Sequence, residues 1–202
     1  MIYELLYALH DQFSVLNVMR YITFRTAYAG LTALLITMWL GPWFIERLRR
    51  FQIGQFIRED GPRNHQSKQG TPTMGGILVI VGIIVPTLMW ADLSNAYVWI
   101  AQASLLFFGA VGFSDDYLKI SRRRSLGLTV RQKLAAQILF ALAIAGLLIY
   151  LGRLGLYSTR LSVPFFKRFT PELDLVIFGV STFLPLILFV VLVIVGSSNA
   201  VN

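Results

Sequence analysis

The sequence predicts an all-α fold, that of a polytopic integral membrane protein, on three grounds: its composition, the spacing of its charges, and where its basic residues collect. Of the 202 residues, 56% are hydrophobic and 14% are charged, against about 25% charged in a soluble domain. A bilayer-spanning helix needs about 20 consecutive, mostly apolar residues. The chain offers five charge-free stretches of that kind: 20 residues between Arg25 and Glu46, 23 between Lys68 and Asp92, 22 between Asp92 and Asp115, 19 between Lys133 and Arg153, and 28 after Asp174. A soluble helical core of this size has no need of five full-length spans. There is no cysteine, which excludes a disulfide framework and a thiolate metal site.

In chain order, the first element expected is a helix over residues 1–20 lying in the membrane interface. Ile2, Leu5, Leu6, Leu9, Phe13 and Leu16 recur at helical spacing with Glu4, Asp11 and Ser14 opposite, the pattern of an amphipathic anchor. The same segment lacks the basic start and small-residue cleavage site of a signal peptide. Spans are expected at about 24–43, 73–91, 95–114, 132–151 and 175–196, in a single membrane domain over 1–202. Six Lys or Arg fall between the first two spans and six between the third and fourth; none lies around Asp92, and four lie between Leu151 and Leu173. Basic loops stay cytoplasmic, so the amino terminus is expected outside, and the loops 46–72 and 115–131, with the terminal SSNAVN, on the cytoplasmic face. Pro86 and Pro185 fall inside spans two and five, where kinks are expected because neighbouring helices can re-satisfy the freed carbonyls. The outside stretch LYSTRLSVPFFKRFTPEL (156–173) alternates in the manner of a short hairpin. No internal repeat is visible, which weighs against a transporter built of inverted halves.

Three constellations at the expected cytoplasmic face could carry chemistry. The first is GFSDDYLK, residues 112–119. Adjacent helical residues point about 100° apart, so Asp115 and Asp116 cannot share a face: one can meet a cation or ligand while the other orients it. Asp115 and Lys119 also stand four apart in the favourable order for an ion pair, and the doublet alone leaves the functional and the structural reading open. A DDxxD diphosphate motif is excluded, because its fifth position is Lys119. The second constellation is HQSKQGTPTMGG, residues 65–76. Thr71 or Thr73 can cap the following helix with Pro72 in its first turn, which would leave amides and a positive dipole end as an anion site beside Lys68. The alternative is a capped helix whose glycines pack on another span. The third is the run from Lys119 to Lys133, six cations in 15 residues. Arg122, Arg123 and Arg124 suit anionic lipid, whereas Lys119 and Lys133 flank span ends and are better placed to reach a ligand. His10 and His65 have no partner cluster and receive no role. Together these groups suit a polyanion carrying a divalent cation, with amides and lysines for phosphate oxygens and carboxylates for the metal or an attacking group. No nucleic-acid partner is expected.

KQGTPTMGG, GFSDDY followed by the basic loop ending in RQK, and the terminal NAVN, with YITFRTAYAGLTAL and VPFFK in order around them, resemble the polyprenyl-phosphate N-acetylhexosamine-1-phosphate transferases, and among them the phospho-N-acetylmuramoyl-pentapeptide transferases. The resemblance runs over essentially the whole chain. It implies a Mg2+-dependent enzyme of peptidoglycan biosynthesis in the bacterial cytoplasmic membrane, with UDP-N-acetylmuramoyl-pentapeptide, undecaprenyl phosphate and the bilayer as partners; a homodimer is among the assemblies it allows. Undecaprenyl phosphate would attack the sugar-linked phosphate and release UMP. Asp115 and Asp116 match the family's catalytic aspartate pair, Lys68 and Thr73 its substrate-contacting loop, and Asn199 and Asn202 the asparagines that open the next motif. Lys119 and Lys133 complete the expected substrate-binding set. Asp115 and Asp116 are also the candidates for holding the metal, with further ligands expected beyond Asn202. The family continues past NAVN into LTDGLDG and further spans, ten in all, so the five here look like an amino-terminal half from which no turnover is expected alone.

A phosphate monoester has a second pKa of about 6, so the acceptor is largely ionised at neutral pH and needs little general-base help. Direct attack, aligned by metal and lysines, is the favoured route, and a two-step route through an aspartyl phosphate stays open. The competing class is a non-enzymatic module, half of a transporter with a basic vestibule. Acidic residues buried in mid-span would favour it, and none of the expected spans contains one.

Overall fold

The computed structural model describes residues 2–50, 74–122, 126–163, 165, 168–177 and 180–200. In order, the elements are α1 (Ile2–Ala8), a 3-10 helix (Ser14–Arg20), α2 (Ile22–Arg50), α3 (Gly76–Trp90), α4 (Ala96–Ser121), α5 (Val130–Arg153), β1 (Leu175–Ile177), β2 (Val180–Thr182) and α6 (Leu184–Ala200). Among the described residues the architecture is helical, with one short antiparallel ribbon that sets Leu175 opposite Thr182. Among the described residues, α2, α4 and α5 are long and apolar enough to cross a membrane, while α3 and α6 are shorter apolar helices. This is a membrane protein. Its contacts fall into two units, Met1–Leu128 and Thr129–Asn202.

In the first unit, the segment expected as one interfacial helix is two short pieces. α1 stops at Ala8, and a turn closed by the Gln12 and Phe13 amides on the Leu9 carbonyl leads into the 3-10 helix. Asp11, Ser14 and Asn17 are poor helix formers whose side chains compete for the backbone, which accounts for the break. α2 continues past the expected end of its span at residue 43. Its 29 residues reach about 43 Å at 1.5 Å per residue, more than the about 30 Å of hydrocarbon. The added turns carry Glu46 and Arg50, paired at 2.6 Å. Leu31, Leu34, Leu35, Met38 and Trp39 stay exposed on this helix, a face that suits lipid. The opposite face packs on α3 through small residues, as membrane helices do in the absence of a hydrophobic drive between them. A Cβ on Gly82 would come within 2.8 Å of Thr37 Cγ2. Trp90 Nε1 donates to Thr32 Oγ1 at 3.0 Å, and its ring lies tilted against that of Tyr28 with centroids 5.1 Å apart. α4 joins the pair where Gly109 meets Ile80.

In the second unit, α5 opens on a capping box in which Thr129 Oγ1 accepts from the Gln132 amide and Gln132 Oε1 accepts from the Thr129 amide. Ala145, Leu186 and Val190 are buried together, ringed by Ile144, Leu148, Tyr157, Leu173 and Phe183. The expected hairpin over 156–173 is present as a single antiparallel bridge between Arg160 and Glu172, whose side chains pair at 2.8 Å. The helix expected from 175 begins at Leu184, because residues 175–177 and 180–182 pair as strands. Apolar, β-branched residues satisfy a ribbon as readily as a helix, and the charge-free run hid the difference. Pro185 is therefore the second residue of α6, where it lacks only an amide that the helix does not use, and the kink expected there does not arise. Pro42 and Pro86 both lie inside helices that continue through them.

Candidate active site

α4 is started by Asn95, whose Oδ1 accepts from the Tyr97 amide at 2.9 Å, and its far end carries Asp115, Asp116 and Lys119. The two aspartates are not equivalent. Asp115 is buried, at 7% exposure. Its Oδ2 lies 2.6 Å from Lys119 Nζ, and its Oδ1 accepts from the Leu128 amide at 2.7 Å. Thus the carboxylate clasps a chain segment thirteen residues on. The approach is close enough that a Cβ on Gly127 would collide with the Asp115 carboxylate and lie 2.7 Å from its backbone oxygen; only glycine fits there. Asp116 points elsewhere, as the helical 100° offset requires. Its side chain is 32% exposed, Lys119 Nζ stands 3.4 Å from Oδ1, and Oδ2 has no partner among the described residues. Burial pushes the Lys119 ammonium down, but the hydrogen bond and charge of Asp115, with the charge of Asp116, outweigh it and raise its pKa above the usual 10.5. Lys119 is therefore a fixed cation shared by the pair.

The other expected site residues are distributed differently. Lys68 and Thr73 lie outside the described residues, as do Thr71 and Asn202. The helix expected from residue 73 starts at Gly76, with Gly75 at its cap position and no side-chain cap bond. Met74 has φ 70, so the chain turns out of the helical path just before that start. The amides of Ile77 and Leu78 already donate to the Met74 and Gly75 carbonyls, at 3.2 and 3.1 Å, which removes two of the donors expected for an anion. Lys133 sits in the first turn of α5, directly after the capping box. Asn199 Nδ2 donates to Gln137 Oε1 and to the Val195 carbonyl, both at 2.7 Å, so its amide ties α6 to the buried Gln137 of α5. Asp115, Asp116 and Lys119 are thus brought together in the first unit, while Lys133 and Asn199 belong to the second. Gly127, Leu128 and Gln137 were not anticipated from sequence; the isolated glycine in SLGLT was the available sign of a close backbone approach.

The chemistry open to this cluster is that of a polyanion site: one carboxylate locked by two donors, one available, and an ammonium between them. The model of glycosyl transferase family 4 matches residues 98–202, more than half of the chain. The chain belongs to glycosyl transferase family 4. Within this family-4 chain the match takes in Asp115, Asp116, Lys119, Lys133, Asn199 and Asn202. A second match, to the phospho-N-acetylmuramoyl-pentapeptide-transferase signature 1, covers residues 68–80, from Lys68 into the first turn of α3. Relatives named phospho-N-acetylmuramoyl-pentapeptide-transferase align along the chain: one from Koribacter versatilis is 51% identical across all of this chain and 55% of its own length. Another from Desulforapulum autotrophicum is 52% identical over all of this chain and 53% of itself. One from Acidobacterium capsulatum is 54% identical over 87% of this chain and 47% of itself. The chain spans about half the length of the curated relatives it matches.

Proposed function

We propose that this chain supplies the aspartate-bearing part of a phospho-N-acetylmuramoyl-pentapeptide transferase, which moves phospho-N-acetylmuramoyl-pentapeptide from its UDP conjugate to undecaprenyl phosphate and releases UMP. The observation that carries the reading is the inequality of the two carboxylates at the end of α4: Asp115 is saturated by Lys119 and the Leu128 amide, while Asp116 keeps an oxygen without a partner among the described residues. Asp116 is the group that meets the reacting phosphates, and Asp115 holds the loop and the shared ammonium in place. Lys119, kept charged by both aspartates, supplies a point cation for phosphate oxygens. Lys68 and Thr73, inside the matched signature, with Lys133, Asn199 and Asn202, contribute the remaining substrate contacts.

The donor set fits a magnesium ion. That ion keeps several waters and takes only one or two carboxylates alongside substrate phosphates, so the lack of a group of three or more His, Cys, Asp or Glu among the described residues is compatible with it. Asp116 would hold the ion, which when bound neutralises the charge on the diphosphate. The chain's own contribution is alignment: a lysine and a carboxylate on one helix end at the membrane boundary, the positioning and electrostatics from which phosphoryl transfer draws most of its rate. The active face is cytoplasmic, with the amino terminus outside, because the basic residues flank that end of α4.

The test is Asp116→Asn in the complete transferase. Turnover is expected to fall by about a hundredfold or more, with UDP-sugar binding by calorimetry retained. A rate near that of the unaltered enzyme contradicts the assignment.

A further inference from the structure

At the opposite end of α4 from Asp115, the first unit holds a second polar site that the transfer reaction does not use. Asn95 and Asp115 are separated by twenty residues of chain, about 30 Å along a helix, which is the thickness of the hydrocarbon core. There a cavity of about 280 Å³ is walled by Arg25, Thr26, Trp90, Asp92, Asn95 and their neighbours. Arg25 is held with its guanidinium 4.0 Å from the centre of the Tyr3 ring. Its Nε and Nη1 are buried and have no hydrogen-bond partner among the described residues. A buried donor without an acceptor is destabilising, more so when charged, so two such donors on one guanidinium call for an anion. The carboxylate in the same cavity does not reach these donors: Asp92 Oδ1 accepts from the amide and hydroxyl of Ser94, at 3.1 and 2.6 Å, and no hydrogen bond joins Asp92 to Arg25 among the described residues.

A second cavity of about 450 Å³ shares Thr87 and Val98 as walls and continues between α3 and α4 past Ile83, Ala101 and Leu105. The surface it exposes is almost wholly apolar, and the polar side chains among its walls are those of Thr87, Tyr97 and Gln102. A headgroup-sized pocket with one cation and one anion, opening onto a greasy channel, has the plan of a phospholipid cut along its length.

We propose that this is a structural lipid site for a glycerophospholipid with an ammonium-bearing headgroup, its phosphate on Arg25, its ammonium toward Asp92 and an acyl chain in the α3–α4 channel. The lipid comes from the leaflet opposite the Asp115 end. Asp92 sets the preference, because a second negative charge beside it is repelled whereas an ammonium is attracted. The site also explains why Tyr3 reaches back from the interfacial segment: the ring closes the free face of the guanidinium.

The experiment is native mass spectrometry of the purified protein with equimolar phosphatidylethanolamine, phosphatidylcholine and phosphatidylglycerol, run beside Arg25→Gln and Asp92→Asn. The unaltered protein retains phosphatidylethanolamine over phosphatidylglycerol. Arg25→Gln lowers retention of every phospholipid by about tenfold or more, the loss expected for hydrogen bonds to a charged group. Asp92→Asn keeps phosphatidylglycerol binding and removes the preference, a result that a misfolded variant cannot give. Glycerophosphoethanolamine, which lacks chains, does not compete. The proposal is overturned if Arg25→Gln retains lipid as the unaltered protein does, if the three headgroups are held equally, if phosphatidylglycerol is preferred, or if the chainless headgroup competes on equal terms.

Discussion

Asp115 and Asp116 are adjacent in sequence and divided in role by the geometry of the helix. Removing the Asp115 carboxylate leaves the Leu128 amide without its acceptor and Lys119 with only the more distant Asp116, so Asp115→Ala should lose about 1–3 kcal/mol of stability. Asp115→Asn, which keeps an acceptor, should lose less. Gly127→Val should reproduce the alanine variant's loss by steric means, whereas Asp116→Asn should fall within about 0.5 kcal/mol of the unaltered protein. Chemical denaturation in detergent followed by tryptophan fluorescence ranks all four. The pH dependence has a definite sign. Lys119 has a raised pKa, so its contribution is complete below 10.5 and is lost only as pH rises through the higher folded value. Stability differences between the unaltered protein and Lys119→Met should therefore be flat from about pH 6 to 9 and shrink only above that range. How much of this was legible in the sequence is clear at this scale: the i,i+4 spacing foretold the Asp115–Lys119 pair, but nothing local pointed to Leu128. Its amide meets Asp115 only because the chain turns back after α4, and a tertiary contact of that kind leaves no periodic trace.

At the scale of elements, helix ends were harder to read than helix existence. Charge-free runs located α2 through α6, since hydrocarbon excludes unpaired charge. They did not separate helix from ribbon at 175–182, where Leu, Val and Ile suit both. They also gave no sign that α2 outlasts its apolar run, an extension stabilised by Glu46 and Arg50 one turn apart. Two substitutions test the packing. Thr129→Ala removes the cap of α5 and should lose about 1 kcal/mol, with the loss confined to the second unit in hydrogen exchange. Gly82→Leu should separate α2 from α3, because a Cβ alone already lies 2.8 Å from Thr37 Cγ2; a smaller fluorescence shift on unfolding, from a Trp90 already freed of Thr32, reports it.

Over the whole molecule, the account rests on sidedness. The two ends of α4 have different chemistries: an acidic and basic cluster at one, and the Arg25–Asp92 cavity at the other. The proposed function puts the reaction at the cluster end, in the cytoplasm together with Lys68. The cysteine-free background makes this directly measurable with single-cysteine variants at Lys68, at Ser121 beside the cluster and at Ala96 at the far end, probed by a membrane-impermeant maleimide. The account predicts that Lys68→Cys and Ser121→Cys react only in inside-out vesicles and Ala96→Cys only in right-side-out ones. Labelling of positions 68 and 121 from opposite compartments would contradict it.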